Sequence, residues 1–469
     1  MTDIADRMDD HALERVPEHE RTGWLKLSWN TAGIVTTLIQ LFFGALVSFA
    51  AGMRIAIYSG IFVTIVGAAL GWAVGHVGSK TGLSSTLMTR EHGLGTRGSL
   101  IASLIFGFMI IGFLAIENAL LYNGFLFFLG VPDTIFWKLA IYGVLTIAWI
   151  LLTAFGFRLV ARVSSIVLVL FLGVLAWMLI RIVAQSPHDA ATLLSFGPQL
   201  PAGVRESMGI RSPWDAYVFC INVLIGSAGA LALVDGDFGR YARRSVDIGL
   251  AALIGNISMS IGMLTIGGIA MYAGFDQVVQ YFVHTRGLTA ADANAMALAS
   301  PSSIASTFII FGGVVGAVLM VLAQSKAQVL NTYSGSLALT NLFDAAFGWR
   351  PGRFTFVVLA NAIGLIMLYG KLLALVNSWI TILGVLTTSL AGVIAADYFL
   401  LGRAAPVSPA PAGAREAINW AGVVTIVVGT GLAHYVLQHT IRIEFFTSLL
   451  ASLILYPLLR LTVFRRRPG

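Results

Sequence analysis

Apolar runs separated by short polar stretches recur along the chain from residue 27 to residue 463. Crossing a hydrocarbon core of ~30 Å takes about 20 helical residues, and most of these runs reach that length. Lipid offers the backbone no hydrogen bonds, so each run must satisfy its own as a helix. The pattern predicts an all-α integral membrane protein of about twelve spans. They fall near 27–52, 55–76, 99–130, 134–155, 160–184, 214–234, 247–274, 304–343, 353–370, 372–400, 418–438 and 445–463. The longest loops are 185–213 and 275–303.

The polar ends divide the chain. Residues 1–26 are charged, lack an apolar core and read as a disordered cytoplasmic tail. A ten-span core covers 27–402. An Ala/Pro-rich cytoplasmic linker covers 403–417, and 418–469 holds two peripheral spans and a short basic tail. Ten plus two matches transporters built from two inverted five-helix repeats.

Composition agrees. Of 469 residues, 57% are hydrophobic and 11% charged, against about 25% charged in soluble domains. The net charge of +7 is an orientation signal and implies no nucleic acid. Twenty of the 29 basic residues fall on the side holding both termini and eight on the other. The positive-inside rule places both termini in the cytoplasm, in a bacterial inner membrane. The single cysteine, Cys220, excludes a disulfide framework. No phosphate loop, dinucleotide fingerprint, nucleophile elbow or metal-ligand spacing occurs. The expectation is a non-enzyme with no catalytic residue, cofactor or metal and no obligatory protein partner.

Polar positions inside spans carry the candidate chemistry. Ser28–Thr37 is unusually polar for a first span, and the sixth carries Gly226-Ser227-Ala228-Gly229. Both read as broken helices, whose unwound carbonyls can face a cation. The alternative is that their small residues permit close helix packing. Glu117 and Lys326 lie mid-span, where a charge costs several kcal/mol and marks a site or a pathway. A structural ion pair between them is the alternative. Gln324, Gln328 and Asn331 share a helix face. Phe113 sits one turn before Glu117, so an aromatic face and a carboxylate adjoin, suiting a flat nitrogen-rich ring. Asp235, Asp237, Arg240, Arg243 and Arg244 end the sixth span as interfacial charges or as a gate.

Four segments carry a family resemblance: Gly78-Ser79-Lys80-Thr81-Gly82-Leu83 with Gly95-Thr96-Arg97-Gly98-Ser99, Asp237-Phe238-Gly239-Arg240-Tyr241, Asn331-Thr332-Tyr333-Ser334-Gly335-Ser336-Leu337, and Trp379 with Gly392-Val393-Ile394-Ala395-Ala396-Asp397-Tyr398. Together they resemble the nucleobase:cation symporter-1 family, in its bacterial cytosine permease-like branch. The resemblance implies a LeuT-like fold and uptake of cytosine, a purine, a hydantoin or an allantoin-like ring. An amino-acid or amine permease on the same fold is the alternative, and a non-transporting receptor a remote one. By position, the substrate contacts implied are Gly33, Thr37, Phe113, Glu117, Gly226, Ser227, Ala228, Gln324, Gln328 and Asn331. Ala228 replaces an aromatic, so one stacking wall is missing. The implied ion site is Gly33 and Thr36 with Ser325 and Lys326. Lys326 replaces a hydroxyl residue of sodium-coupled relatives, so the coupling ion is expected to be H+, with Na+ as the alternative. Lys326 and Glu117 are the candidate proton carriers.

Overall fold

The computed structural model describes residues 11–154, 157–299, 303–369, 375–402 and 416–465. Most of the 403–417 linker lies outside them. Every regular element among the described residues is helical.

The first span is two helices, α1 (Trp24–Val35) and α2 (Leu38–Ala51), bent by 67° at Thr36 and Thr37. Then come α3 (Met53–Thr81), α4 (Ser99–Leu129), α5 (Ile135–Ala154), α6 (Phe157–Ala184) and α7 (Pro213–Gly239). The seventh span joins α8 (Ser245–Ile257) through a π-turn at Ser258–Met263 to α9 (Leu264–Arg286). Two short helices, α10 (Ala290–Ala299) and α11 (Ser303–Gly312), precede α12 (Val314–Phe347). The chain ends with α13 (Arg353–Tyr369), α14 (Val376–Ala395), α15 (Trp420–Gly431) and α16 (Glu444–Leu461).

Nine helices among the described residues are long and apolar enough to cross a membrane, and the bent pair makes ten. The two remaining expected spans appear as shorter apolar helices, Arg353–Tyr369 and Trp420–Val436.

Three boundaries differ from expectation. The eighth span begins at Val314, because Gly313 (φ +53°) turns the chain and closes α11 against α12. The close approach is fitted to glycine, since a Cβ on Gly316 would strike the Phe308 carbonyl. The 275–303 loop is largely helical, because α9 runs on to Arg286 and α10 follows.

The third difference is the sixth span, which is one unbroken helix. Its glycines serve packing. Gly226 lies against the Ile380 carbonyl and Gly229 against the Thr387 hydroxyl, both on α14. The close-packing alternative therefore holds for this span.

Small residues set the core. Along α3, Gly60, Gly67, Gly71, Gly75 and Gly78 face Ser260, Asn256, Asp235, Ile248 and Gly236 of α7, α8 and the π-turn. Gly44 meets the Leu264 backbone while Gly267 meets the Leu41 carbonyl, so α2 and α9 cross backbone to backbone. These contacts tie the first, second, sixth and seventh spans into one bundle. The third, fourth, fifth and ninth spans pack around the eighth, α12, as a second body.

Residues 11–23 of the expected disordered tail are docked. Val16 N–H donates to Gly82 O at 2.9 Å, and Arg21 Nη1 to Ser79 O at 2.9 Å. Thr22 N–H donates to Tyr241 O at 2.7 Å, and Arg243 N–H returns to Thr22 O at 3.1 Å. The tail's polarity is matched by backbone groups at the helix ends, which composition alone does not reveal.

Candidate functional site

The bend between α1 and α2 positions the site. Thr36 hydroxyl donates back to Ala32 O at 2.7 Å, closing α1, and Thr37 is extended (φ −124°, ψ 169°). Carbonyls at this break face Lys326 of α12. Its Nζ donates to Gly33 O at 3.2 Å, to Ala323 O at 3.2 Å and to Thr36 O. The three acceptors match the three N–H donors that a protonated amine carries. Nζ also stands 4.4 Å from the centroid of Phe171 on α6. The lysine is fully buried. The carbonyls freed at the break, Gly33 O and Thr36 O, are groups that an alkali ion would use, and here the protein's own side chain fills that place.

Glu117 of α4 is also buried, at 2% exposed. It forms no direct ion pair with Lys326: its Oε2 accepts from Asn331 Nδ2 at 3.1 Å. The Thr37 hydroxyl stands beside the carboxylate but outside hydrogen-bond geometry. Asn331 Nδ2 also donates to Gln328 Oε1 at 3.2 Å. Gln328 Nε2 donates to Leu114 O at 3.0 Å and Asn118 Oδ1 at 2.8 Å, and Trp149 Nε1 to Asn118 Oδ1 at 3.0 Å. One polar chain therefore runs from α5 through α4 to the centre.

A small cavity of about 40 Å³ lies where α1, α2, α4, α7 and α12 converge, with room for a few waters. Phe113, Glu117, Ser227 and Asn331 line it, with Gln40 and apolar groups including Ile34, Val35, Met109, Ile110, Leu231 and Met259. Gln40 Nε2 donates to Ser227 Oγ at 3.2 Å. Phe113 is held edge-on by Trp379 of α14, with centroids 4.9 Å apart at 82°.

The other expected contacts stand apart from the cavity. Gly33 turns its Cα toward Ser164 of α6 and offers only its carbonyl. Thr37 is fully buried. Gly226 packs on α14, and Ala228 packs on Gly67 of α3, away from the cavity. Gln324 donates to the Glu117 backbone carbonyl at 3.2 Å, and Ser325 bonds within its own helix.

Gln40, Asn118, Trp149 and Phe171 complete the site without having been expected. Gln40 had a signal, as a lone amide in the apolar run 38–51. Asn118 adjoins Glu117 in sequence. Trp149 and Phe171 had none, because aromatic residues are common in apolar runs.

At the N-terminal face, Arg240 is fully buried. It donates to Tyr333 Oη of α12 and to the His11 carbonyl of the tail. Asp237 accepts from Ser85 N–H at 2.7 Å. These groups are packed inside and do not reach out as interfacial charges do. Arg240 bridges the two bodies. Among the described residues no cluster of His, Cys, Asp and Glu could hold a metal ion.

Two bodies around a bent first span and a central polar pocket define a multi-span membrane protein with the LeuT fold. That fold is shared with Mhp1, a nucleobase-cation-symport-1 family transporter. Its closed form with bromovinylhydantoin bound matches with a TM-score of 0.71 at 16% identity, over 96% of this chain and 95% of that one. A Na+-coupled sialic acid symporter in a substrate-bound outward-open state matches at 0.59 and 16%, over 97% and 92%. An Eremococcus coleocola manganese transporter matches at 0.52 and 13%, over 97% and 98%. No protein-family model and no curated protein sequence matches the chain.

Proposed function

We propose that this chain is a secondary transporter of the bacterial inner membrane, similar to the nucleobase:cation symporters. It imports a nitrogen heterocycle by alternating access, and both termini are cytoplasmic. The observation that carries this reading is the joint placement of Phe113, Glu117, Ser227 and Asn331 around one cavity at the bent first span. An aromatic face beside acceptors and hydroxyls recognises a flat ring with N–H groups. The solved neighbour with a hydantoin bound supports the same reading. The cavity is smaller than such a ring, so loading requires the two bodies to part, as alternating access demands.

The coupling ion in this reading is the proton, or sodium plays no part. The Lys326 ammonium holds the carbonyls that a sodium ion would use. Glu117 is the second candidate carrier, buried and facing the cavity.

Uptake into proteoliposomes tests both parts. Nucleobases should compete for uptake where amino acids do not, and a proton gradient should drive accumulation. Stimulation by a sodium gradient at fixed pH, with none from a proton gradient, would sink the coupling assignment. One observation favours a second reading: Glu117 is a buried carboxylate and could pair with a cationic amine. Competition by amines or amino acids alone would select it.

A further inference from the structure

The polar wall of the cavity has a direction set at its outer ends. The Leu114 carbonyl can only accept, and it takes Gln328 Nε2. The Trp149 indole can only donate, and it fixes Asn118 Oδ1. That oxygen also accepts from Gln328 Nε2. Two acceptors therefore hold the Gln328 nitrogen, which turns its Oε1 toward Asn331. Asn331 Nδ2 donates to that oxygen and to Glu117 Oε2. An amide nitrogen has two hydrogens, and both are engaged. With Glu117 ionised, what it and Asn331 leave for a ligand is oxygen: Asn331 Oδ1 and Glu117 Oε1. A bond between their side chains keeps these acceptors side by side, one turn from the Phe113 ring.

We propose that this wall, in the state with Glu117 ionised, selects rings whose edge carries two adjacent N–H donors, a ring N–H beside an exocyclic amino group. Imide rings, which put a carbonyl beside the N–H, are rejected. The inference rests on the reading of the site as a heterocycle carrier and narrows it. A ring carbonyl here would set oxygen against oxygen in a buried site, leaving both unpaired, and sites built on hydrogen bonds discriminate strongly by that route. Trp149 and Gln328 then act as positioning residues: they touch no ligand but determine which amide atom faces it.

Four rings test this, each pair differing at the edge in question: isocytosine against uracil, and guanine against hypoxanthine. Affinities are measured on the purified full chain by ligand-induced thermal shift. Isocytosine should bind at least about tenfold tighter than uracil, and guanine than hypoxanthine. Gln328→Met should free one Asn331 N–H toward the cavity and lower both ratios severalfold, while both pairs still bind. Trp149→Phe should lower them in the same direction by less, and it carries the test if the first variant fails to fold. Loss of all binding equally in both variants would mark them as merely structural. Uracil binding as tightly as isocytosine would overturn the inference and leave ring transport intact. Binding of none of the four rings would overturn the inference together with the reading beneath it.

Discussion

Lys326 places its Nζ against the Thr36 carbonyl, joining the middle of α12 to the break in the first span. Gly33 and Ala323 supply the other two acceptors. A tethered amine thus sits where two helices of different bodies meet.

Removing that amine should be costly. Lys326→Met leaves the two buried carbonyls at the break, Gly33 O and Thr36 O, without their donor, and each unsatisfied group costs about 1–3 kcal/mol. The variant should melt clearly below wild type in detergent. Lys326→Ser makes room for an ion. Sodium should raise the melting temperature of that variant and leave wild type unchanged. Sodium stabilisation of wild type would contradict the tethered-cation view.

Glu117→Gln keeps the shape and removes the charge. A hydrogen bond to a charged group contributes about 1.5–3 kcal/mol, so affinity for the preferred ring should fall roughly 10–100-fold. Membrane insertion should be normal and the order of competing rings should change. If uptake of every ring survives unaltered, Glu117 is structural.

Arg240 and Tyr333 close the N-terminal face. Tyr333→Phe removes an acceptor for a buried guanidinium, which should favour separation of the two bodies there. A cysteine at Val234, on the cavity lining, should react severalfold faster with a maleimide applied from that face. The native Cys220 is buried, so its background labelling should be low. Equal rates in the two backgrounds would remove the gating role.

Glycine packing gives a contrast within one experiment. Gly267→Ala drives a Cβ into the Leu41 carbonyl, and overpacking costs about 1–3 kcal/mol. Gly143 and Gly173 have no neighbour within 4 Å at the Cβ position. Alanine there should be neutral or stabilise by about 0.5–1 kcal/mol. Thermal melts of the three variants check the ranking.

Much of this arrangement was legible in the chain because lipid makes polarity conspicuous. Glu117, Lys326 and the polar first span stand out against apolar neighbours, and the bend falls within the expected polar stretch. What failed depends on partners. Glycines in the sixth span look alike whether they unwind a helix or admit Ile380, and only α14 decides which. The docked tail satisfies its polar groups on helix ends far away in sequence. Trp149 sets the amide directions from another helix, and nothing in its local sequence signals that role.

The row of glycines along α3 has a mechanical consequence. With no side chains between them, α3, α7 and α8 touch over several turns, from Gly67 to Gly78. Close-packed interiors are stiff and transmit strain. The three helices therefore form a lever rather than a hinge. A displacement of α7 beside the cavity then reaches Arg240, the residue that caps the helix. A larger residue in that row would act as a spacer, softening the lever and uncoupling the gate from the site.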